Sequence, residues 1–192
     1  NIAGVSTMNA EVVPTRLELV HELIPTATII ALLVNPTSPT LADTSTKEAQ
    51  VAAQPLGLQP DLLEASTEQD LDKVFATAVQ LRAGAIVISP DAWFNSVSKQ
   101  LAALALRYAM PTIYQFREFA AAGGLLSYGG NVLEFNRQIG ILAGRILKGE
   151  KPADLPVQQS TKMELFINLK TAKALGLKIP LSLLGRADEV IE

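Results

Sequence analysis

The sequence predicts an α/β fold of three layers, in which a mostly parallel sheet is flanked by helices on both faces. Apolar runs of strand length alternate with stretches whose apolar residues recur every three or four positions, and this βαβ rhythm is typical of parallel sheets. The chain has 192 residues, of which 48% are hydrophobic and 18% charged. Such a composition favours a folded domain with a sizeable core over a disordered chain.

The first half of the chain starts with a helix whose apolar positions Val13, Leu17 and Val20 share one face. Pro25 ends this helix, because a proline cannot continue the backbone hydrogen bonding. Loops rich in proline, serine and threonine separate the elements that follow. The predicted elements are a helix at 12–24, a strand at 27–34, a helix at 41–54, a strand at 58–63, a helix capped by Ser66 or Thr67, and a strand at 85–88.

The second half repeats the pattern with shorter strands. Its longest helix has a strong apolar face and ends at Gly149, a residue type that commonly follows helix ends. The last residues contain a proline and are expected to form a tail along the surface. The predicted elements are a helix at 95–108, a strand at 112–114, a short helix within 116–122, a strand at 125–128, a helix at 131–148, a strand at 163–168 and a helix at 169–175.

Composition excludes several classes of function. The net charge of −3 provides no basic surface for nucleic acid. Cysteine is absent and His21 is the only histidine, so we expect no thiol chemistry, no metal site and no cofactor. No apolar run reaches the ~20 residues of a membrane span. Phosphate-binding glycine loops and the common hydrolase motifs are also missing, so we expect no catalytic residues and no enzyme.

Polar residues that follow predicted strands are the candidates for ligand binding, because ligands of α/β folds bind beyond the carboxyl ends of strands. Asn35, Thr37 and Ser38 follow the first strong strand and suit either a polar ligand group or turn formation. Asp91 follows the strand at 85–88 and suits either a ligand ammonium or a helix cap. Phe94 suits either stacking on a ligand or anchoring in the core.

The segment from Pro111 to Gly129 supplies the remaining candidates. Tyr114 ends a strand, and Glu118 lies on the short helix after it. Glu118 is expected either to face a cleft and select a cation, or to pair with its neighbour Arg117 on the surface. Tyr128 precedes two glycines and is expected either to close over a ligand or to belong to the core.

Three phrases of the chain together resemble one protein family. They are RLELVHELIPTATIIALLVNP, QLRAGAIVISPDAWFNSVSKQLAALALRYAMPTIYQFREFAAAGGLLSYG, and GRILKGEKPADLPVQQSTKMELFINLKTAKALGLKIPLSLLGRADEVIE. The sequence is similar to substrate-binding proteins of bacterial ABC importers, in a subfamily that resembles aromatic-amino-acid binders. The resemblance implies a type I periplasmic-binding-protein-like lobe that binds a small molecule, an amino acid or a related zwitterion, without catalysis. It also implies a periplasmic location and a permease in the inner membrane as partner.

The resemblance also implies how the chain is divided. Residues 1–129 correspond to the second ligand-binding lobe, with hinge crossings at both ends, and residues 130–192 to a C-terminal segment that returns to the first lobe. The core of that first lobe is absent from the sequence, so we expect that residues preceding Asn1 have been removed. Apolar faces evolved for the missing lobe predict a homodimer. The alternative function is the effector-binding lobe of a transcription regulator.

Overall fold

A seven-stranded sheet forms the centre of the computed structural model, which describes residues 2–7, 12–160 and 162–192. The strand order is β3-β2-β4-β5-β6-β8-β9, and all pairs are parallel except β6 with β8. This confirms the predicted α/β class with a mostly parallel sheet. The strands of this sheet are β2 (Ile29–Val34), β3 (Gln59–Glu64), β4 (Ala85–Ile88), β5 (Thr112–Tyr114), β6 (Leu126–Gly130), β8 (Met163–Asn168) and β9 (Glu189–Ile191).

Helices cover both faces of the sheet and bury two apolar clusters against it. One cluster includes Leu17 and Ile30 and lies beneath α1, α2, α8 and α9; the other includes Phe75 and Phe94 and lies beneath α3 to α6. The helices are α1 (Val13–Leu23), α2 (Pro39–Leu56), α3 (Glu68–Gln80), α4 (Ala92–Ser96), α5 (Ser98–Arg107), α6 (Arg117–Ala121), α7 (Val132–Leu147), α8 (Leu169–Ala174) and α9 (Leu181–Leu184).

Several boundaries differ from the sequence expectation. The helix predicted at 95–108 is two helices, because Asp91 caps an earlier turn and α4 ends before Val97. Helix α2 runs past the predicted end and includes Pro55 in its last turn. The tail after residue 175 contains α9 and β9 and completes the sheet edge. Thr67 rather than Ser66 is the N-cap of α3, and its hydroxyl donates to the Asp70 carboxylate at 2.7 Å.

A second, two-stranded sheet stands apart from the seven-stranded one. Strand β1 (Val5–Thr7) pairs in parallel with β7 (Gln158–Ser160), and α7 packs against β1. A short 3-10 helix, Pro152–Asp154, lies between α7 and β7. Residues 131–160 therefore leave the large sheet, and their return to a first lobe stays a prediction. The predicted crossing at residues 1–6 is described except for Asn1, which lies outside the described residues.

Residues 163–192 do not follow that expectation. Strand β8 pairs antiparallel with β6, and β9 pairs with β8, so both strands extend the large sheet. Leu165 and Ile167 point into the cluster beneath α1. The apolar face of β8 is thus buried by the same lobe that contains residues 29–130. The expectation that all of residues 130–192 return to the first lobe is corrected for residues 163–192.

The Glu164 carboxylate joins the two segments that connect the large sheet with the small one. The Glu164 side chain is 13% exposed. It accepts a hydrogen bond from Asn131 Nδ2 at 2.8 Å and forms an ion pair with Lys162 Nζ at 2.7 Å. Burial alone would raise the pKa of Glu164, but the bonds from Lys162 and Asn131 outweigh burial and lower it. Asn131 also caps α7 through the amide of Glu134. The start of α7 and the start of β8 are therefore held together.

Within the described part of the chain, none of the helices combines the length and the apolar character needed to cross a bilayer.

Candidate functional site

The candidate site lies at the carboxyl edge of the large sheet. Parallel strands end at a common edge, so the residues after β2, β4 and β5 meet there. Asn35 follows β2, Asp91 lies three residues after β4, and Gln115 follows β5; all three are buried. The structure thus brings together the candidates Asn35 and Asp91, which the sequence had placed on separate loops, and adds Gln115, which was not a candidate.

Asp91 is the centre of a hydrogen-bond network at this edge. Its Oδ1 accepts from Asn35 Nδ2 at 3.0 Å and from the Trp93 amide at 2.8 Å, and its Oδ2 accepts from Ser38 Oγ at 2.7 Å. The Oδ1 of Asn35 accepts in turn from both the amide and the hydroxyl of Thr37. Asp91 thereby joins the loop after β2 to the first turn of α4.

Both oxygens of Asp91 are engaged within the protein. Burial raises the pKa of this carboxyl, but bonds from Asn35, Ser38 and two backbone amides outweigh burial, so its pKa lies below the usual value. Asp91 is therefore an ionised helix cap. That it binds a ligand ammonium stays a prediction, as does ligand contact by Asn35, Thr37 and Ser38.

Tyr114 is buried, and its hydroxyl lies among three polar groups. It lies 2.6 Å from Asn95 Oδ1, 3.0 Å from the Asp91 carbonyl and 3.2 Å from Gln115 Nε2, which also donates to Asn95 Oδ1. Burial raises the pKa of Tyr114 strongly, so the hydroxyl keeps its proton at neutral pH. The single hydroxyl proton of Tyr114 is directed at Asn95 Oδ1 and the Asp91 carbonyl, which are acceptors within the protein.

A cavity of about 260 Å³ opens beside Tyr114. Its walls come from α4, α5, the β5–α6 segment and the first residue of α7, so both the large sheet and the segment that leaves it contribute. The wall is mainly apolar, with the Glu118 carboxylate at its edge. The lining residues are Asn95, Ser98, Tyr114, Phe116, Glu118, Phe119 and Val132.

Glu118 is exposed and lines this cavity, whereas its neighbour Arg117 is not among the lining residues. Arg117 binds Glu189 of β9 through Nε at 2.7 Å and through a terminal nitrogen at 2.5 Å. This long-range pair raises the pKa of Arg117 and lowers that of Glu189. One sequence alternative paired Arg117 with Glu118 on the surface. In the structure, the carboxylate that binds Arg117 is that of Glu189 instead. Glu118 also lines a smaller cavity of about 60 Å³ with Asn131 and Glu164.

Phe94 and Tyr128 are candidates for ligand contact, but the side chains of both pack in or against the apolar clusters. Phe94 has no exposed surface and packs in the cluster beneath α3 to α6, with Trp93 tilted against it at 5.1 Å. Tyr128 is half-buried against the cluster beneath α1. These positions favour the core interpretation of both residues, and ligand contact by either stays a prediction.

The sequence interpretation missed several residues of the site. Asn95, Ser98, Phe116, Phe119 and Val132 line the cavity, although a helix or strand pattern alone gives no reason to select them. Outside the cavity lining, the burial of Arg16 was also missed: its side chain is fully buried, and its Nε donates to the Tyr128 carbonyl at 2.8 Å. A signal for it existed, because Arg16 is a charged residue inside the apolar stripe of its helix.

Among the described residues, no group of three or more histidine and carboxylate side chains is arranged to hold a metal ion.

Comparisons with known proteins add a family and a fold. The chain has TM-score 0.86 and 22% identity to a conserved domain protein from Vibrio cholerae, covering 99% of this chain and 63% of that one. It has TM-score 0.79 and 24% identity to an ABC domain from Streptococcus pneumonia in complex with L-Trp, covering 98% and 64%. A LacI family transcriptional regulator from Bifidobacterium animalis is more distant, with TM-score 0.64, 15% identity and coverage of 84% and 60%.

The chain therefore spans under two thirds of the length of these solved structures, and at such identities the likeness shows the fold alone. The sequence matches no curated protein. The fold is that of the periplasmic-binding-protein-like proteins, which confirms the predicted architecture. The family described as ABC transporter substrate binding protein matches residues 1–191, so the chain belongs to the ABC transporter substrate-binding protein family.

Proposed function

We propose that this chain is the second lobe, with part of the first, of the solute-binding component of a bacterial ABC importer. The component captures an amino acid or a related zwitterion with an aromatic or apolar body, and delivers it to permease subunits in the inner membrane. It acts in the periplasm and catalyses no reaction.

The observation that carries the proposal is the cavity beside Tyr114. Its apolar wall of Phe116, Phe119 and Val132 suits an apolar ligand body, and Glu118 at its edge suits a ligand ammonium. A volume of about 260 Å³ is smaller than the ~300–1,000 Å³ of pockets for drug-sized ligands. The cavity therefore favours a small solute.

The position of the cavity supports capture between two lobes. Val132 belongs to α7, which packs against β1 of the small sheet, whereas the other lining residues belong to the large-sheet side. A rotation of one sheet against the other changes the cavity walls, so a ligand that contacts both sides favours the closed arrangement. The contacts of Glu164 with Asn131 and Lys162 join the start of α7 to the start of β8, where the chain passes between the two sheets.

Calorimetry on the full-length gene product tests this function. L-tryptophan, L-phenylalanine, L-tyrosine and L-leucine are titrated, and at least one is expected to bind with about micromolar affinity, near −8 kcal/mol. Glu118→Gln is expected to weaken binding by roughly tenfold, since it removes one charge-assisted hydrogen bond. Glu68→Gln, an exposed change at the start of α3, is the control and leaves the affinity unchanged. No heat with any of the four solutes would contradict the amino-acid assignment.

We also propose that this chain alone forms a homodimer through α7, with exchange of C-terminal segments as one arrangement. Leu133 and Leu147 of α7 are 80% and 88% exposed, and Ile141 is half exposed. Apolar side chains on one exposed helix favour association. Light scattering at micromolar concentration is expected to give twice the mass of the chain, and Leu133→Glu with Leu147→Glu to give a monomer. A monomer without these substitutions would refute the dimer.

The effector lobe of a transcription regulator remains the second candidate function, because regulators share the fold. The family match over residues 1–191 favours transport. The upstream gene sequence decides between the two: a signal peptide supports transport, and a helix-turn-helix supports regulation.

A further inference from the structure

Asn95 contributes to the cavity beside Tyr114 an amide whose orientation is fixed by the protein. Asn95 belongs to α4, is exposed and lines the cavity. Its Oδ1 lies 2.6 Å from the Tyr114 hydroxyl and 2.8 Å from Gln115 Nε2. Both groups direct a donor at this oxygen, so its two lone pairs are used within the protein.

The nitrogen of the same amide is available to a ligand. None of the described residues accepts a hydrogen bond from Asn95 Nδ2. Turning the amide over would bring its N–H groups against the donor of Gln115, so the observed orientation is the favoured one. Because the amide is planar, Nδ2 points away from Tyr114 and Gln115. It is therefore the polar atom of Asn95 that a solute in the cavity can reach.

The two residues that hold the Asn95 amide lie inside the fold. Tyr114 and Gln115 are both buried at the end of β5, and Gln115 Nε2 also lies 3.2 Å from the Tyr114 hydroxyl. The Asn95 amide thus belongs to a network that links α4 to β5. A donor that is fixed before the ligand arrives loses little conformational freedom on binding.

The polar groups of the cavity suit the two ends of a zwitterion. The Glu118 carboxylate can only accept hydrogen bonds, whereas Asn95 Nδ2 can only donate them. Ser98 is a further lining residue with a hydroxyl donor, and it is the first residue of α5. The start of a helix carries partial positive charge, which adds to the attraction for an anion. A ligand with its ammonium at Glu118 therefore finds donors for its carboxylate at Asn95 and Ser98.

We infer that Asn95 Nδ2 donates a hydrogen bond to the carboxylate of the ligand, while Tyr114 and Gln115 hold the amide in the orientation that presents this donor. The inference rests on the proposed function and adds the residue that recognises the acidic end of the solute. Asn95 contacts the ligand, and Gln115 acts through Asn95 as a positioning residue. The site therefore selects amino acids against amines that lack a carboxylate.

The test compares an amino acid with the amine that remains when its carboxylate is removed. L-tryptophan and tryptamine are titrated into the full-length protein by calorimetry. Both compounds have the ammonium and the indole ring, and only the acid has an acceptor for Asn95. The further pairs are L-phenylalanine with phenethylamine, L-tyrosine with tyramine, and L-leucine with isoamylamine.

Two variants of Asn95 separate ligand contact from a structural role. Asn95→Asp keeps an oxygen that accepts from Tyr114 and Gln115 and replaces Nδ2 by a second oxygen. Asn95→Leu removes the donor without adding a charge. Gln80→Glu is the control for added charge, because Gln80 is exposed and ends α3 just before β4 begins, at the amino edge of the sheet.

The unsubstituted protein is expected to bind the acid roughly 10- to 100-fold more tightly than the amine, as for one charge-assisted hydrogen bond. In Asn95→Leu this ratio falls to near one. In Asn95→Asp it falls to one or below, because the new carboxylate repels that of the ligand. In Gln80→Glu the ratio is unchanged.

A purely structural Asn95 gives a different result. Asn95→Leu would then weaken acid and amine equally, and the ratio of the unsubstituted protein would be kept, which overturns the inference. Should Asn95→Leu fail to fold, a ratio kept in Asn95→Asp overturns it as well.

Two outcomes for the unsubstituted protein distinguish this inference from the proposed function. Equal affinity for acid and amine overturns the inference and leaves capture of a small solute standing. Binding of none of the four amino acids overturns both the inference and the amino-acid assignment on which it rests.

Discussion

Removal of the Asp91 carboxylate gives the sharpest test of how the carboxyl edge is held together. In Asp91→Ala, three donors lose their acceptor: the Asn35 side-chain amide, the Ser38 hydroxyl and the Trp93 backbone amide. Asn35 is buried, so water replaces Asp91 poorly there. Asp91→Asn keeps one acceptor oxygen and the size of the side chain, and is the matched variant.

The magnitude follows from these contacts. Loss of a helix N-cap costs about 1 kcal/mol, and a buried donor left without a partner costs about 1–3 kcal/mol. Ser38 is half-buried and regains part of its bond from water. Asp91→Ala is therefore expected to lower the free energy of unfolding by about 3–5 kcal/mol, and Asp91→Asn by about 1–2 kcal/mol, since one oxygen still accepts.

Urea denaturation followed by circular dichroism measures both changes, with equal m-values as the check that the comparison is valid. The pKa of Asp91 is lowered in the folded protein. Its contribution is therefore present above the unfolded pKa of about 3.9 and is lost as the pH falls through the folded pKa. The gap between the unsubstituted protein and Asp91→Asn should be constant above about pH 5 and shrink in acid. A cost of Asp91→Ala below about 1 kcal/mol would refute the structural role and favour the ligand-ammonium interpretation.

Three further changes probe the surroundings of the site. Gly124→Ala places a methyl group against the ring of Phe119, a wall of the cavity, and is expected to cost about 1–3 kcal/mol in urea denaturation. Gly144→Ala in α7 places its methyl group where no neighbouring atom lies within 4 Å, so it should be neutral or stabilise the fold by up to about 1 kcal/mol. Equal costs of Gly124→Ala and Gly144→Ala would contradict the packing of Gly124 against Phe119. Phe94→Ala is expected to cost about 3–5 kcal/mol while leaving solute affinity measured below its unfolding temperature within about twofold; a large loss of affinity without loss of stability would place Phe94 in the binding site.

Local patterns predicted most elements of the fold. The alternation in Met163–Asn168 predicted β8 with its observed bounds, because side chains of a strand point alternately to two faces. The same pattern could not show which sheet β8 joins. That choice depends on pairing with β6, more than thirty residues away, and hydrophobic alternation contains no information on the partner strand.

The candidate site was predictable in location and less so in the roles of its residues. Strand ends marked Asn35, Asp91 and Tyr114 correctly as neighbours, because a parallel sheet collects them at one edge. Whether a carboxylate is free or engaged depends on tertiary contacts, such as Ser38 with Asp91. Arg117 shows the same limit: its partner Glu189 is 72 residues away, beyond the reach of spacing arguments.

In the proposed function a small zwitterion binds at the carboxyl edge of the large sheet, beside Tyr114 and Glu118. Chemical-shift mapping by NMR on the isotopically labelled full-length protein, titrated with L-tryptophan, tests this most directly. We expect the largest shifts at the lining residues Asn95, Tyr114, Phe116 and Glu118, with little change in α8 and α9. Shifts confined to helices far from this edge, or no shifts at millimolar L-tryptophan or any other amino acid, would contradict it.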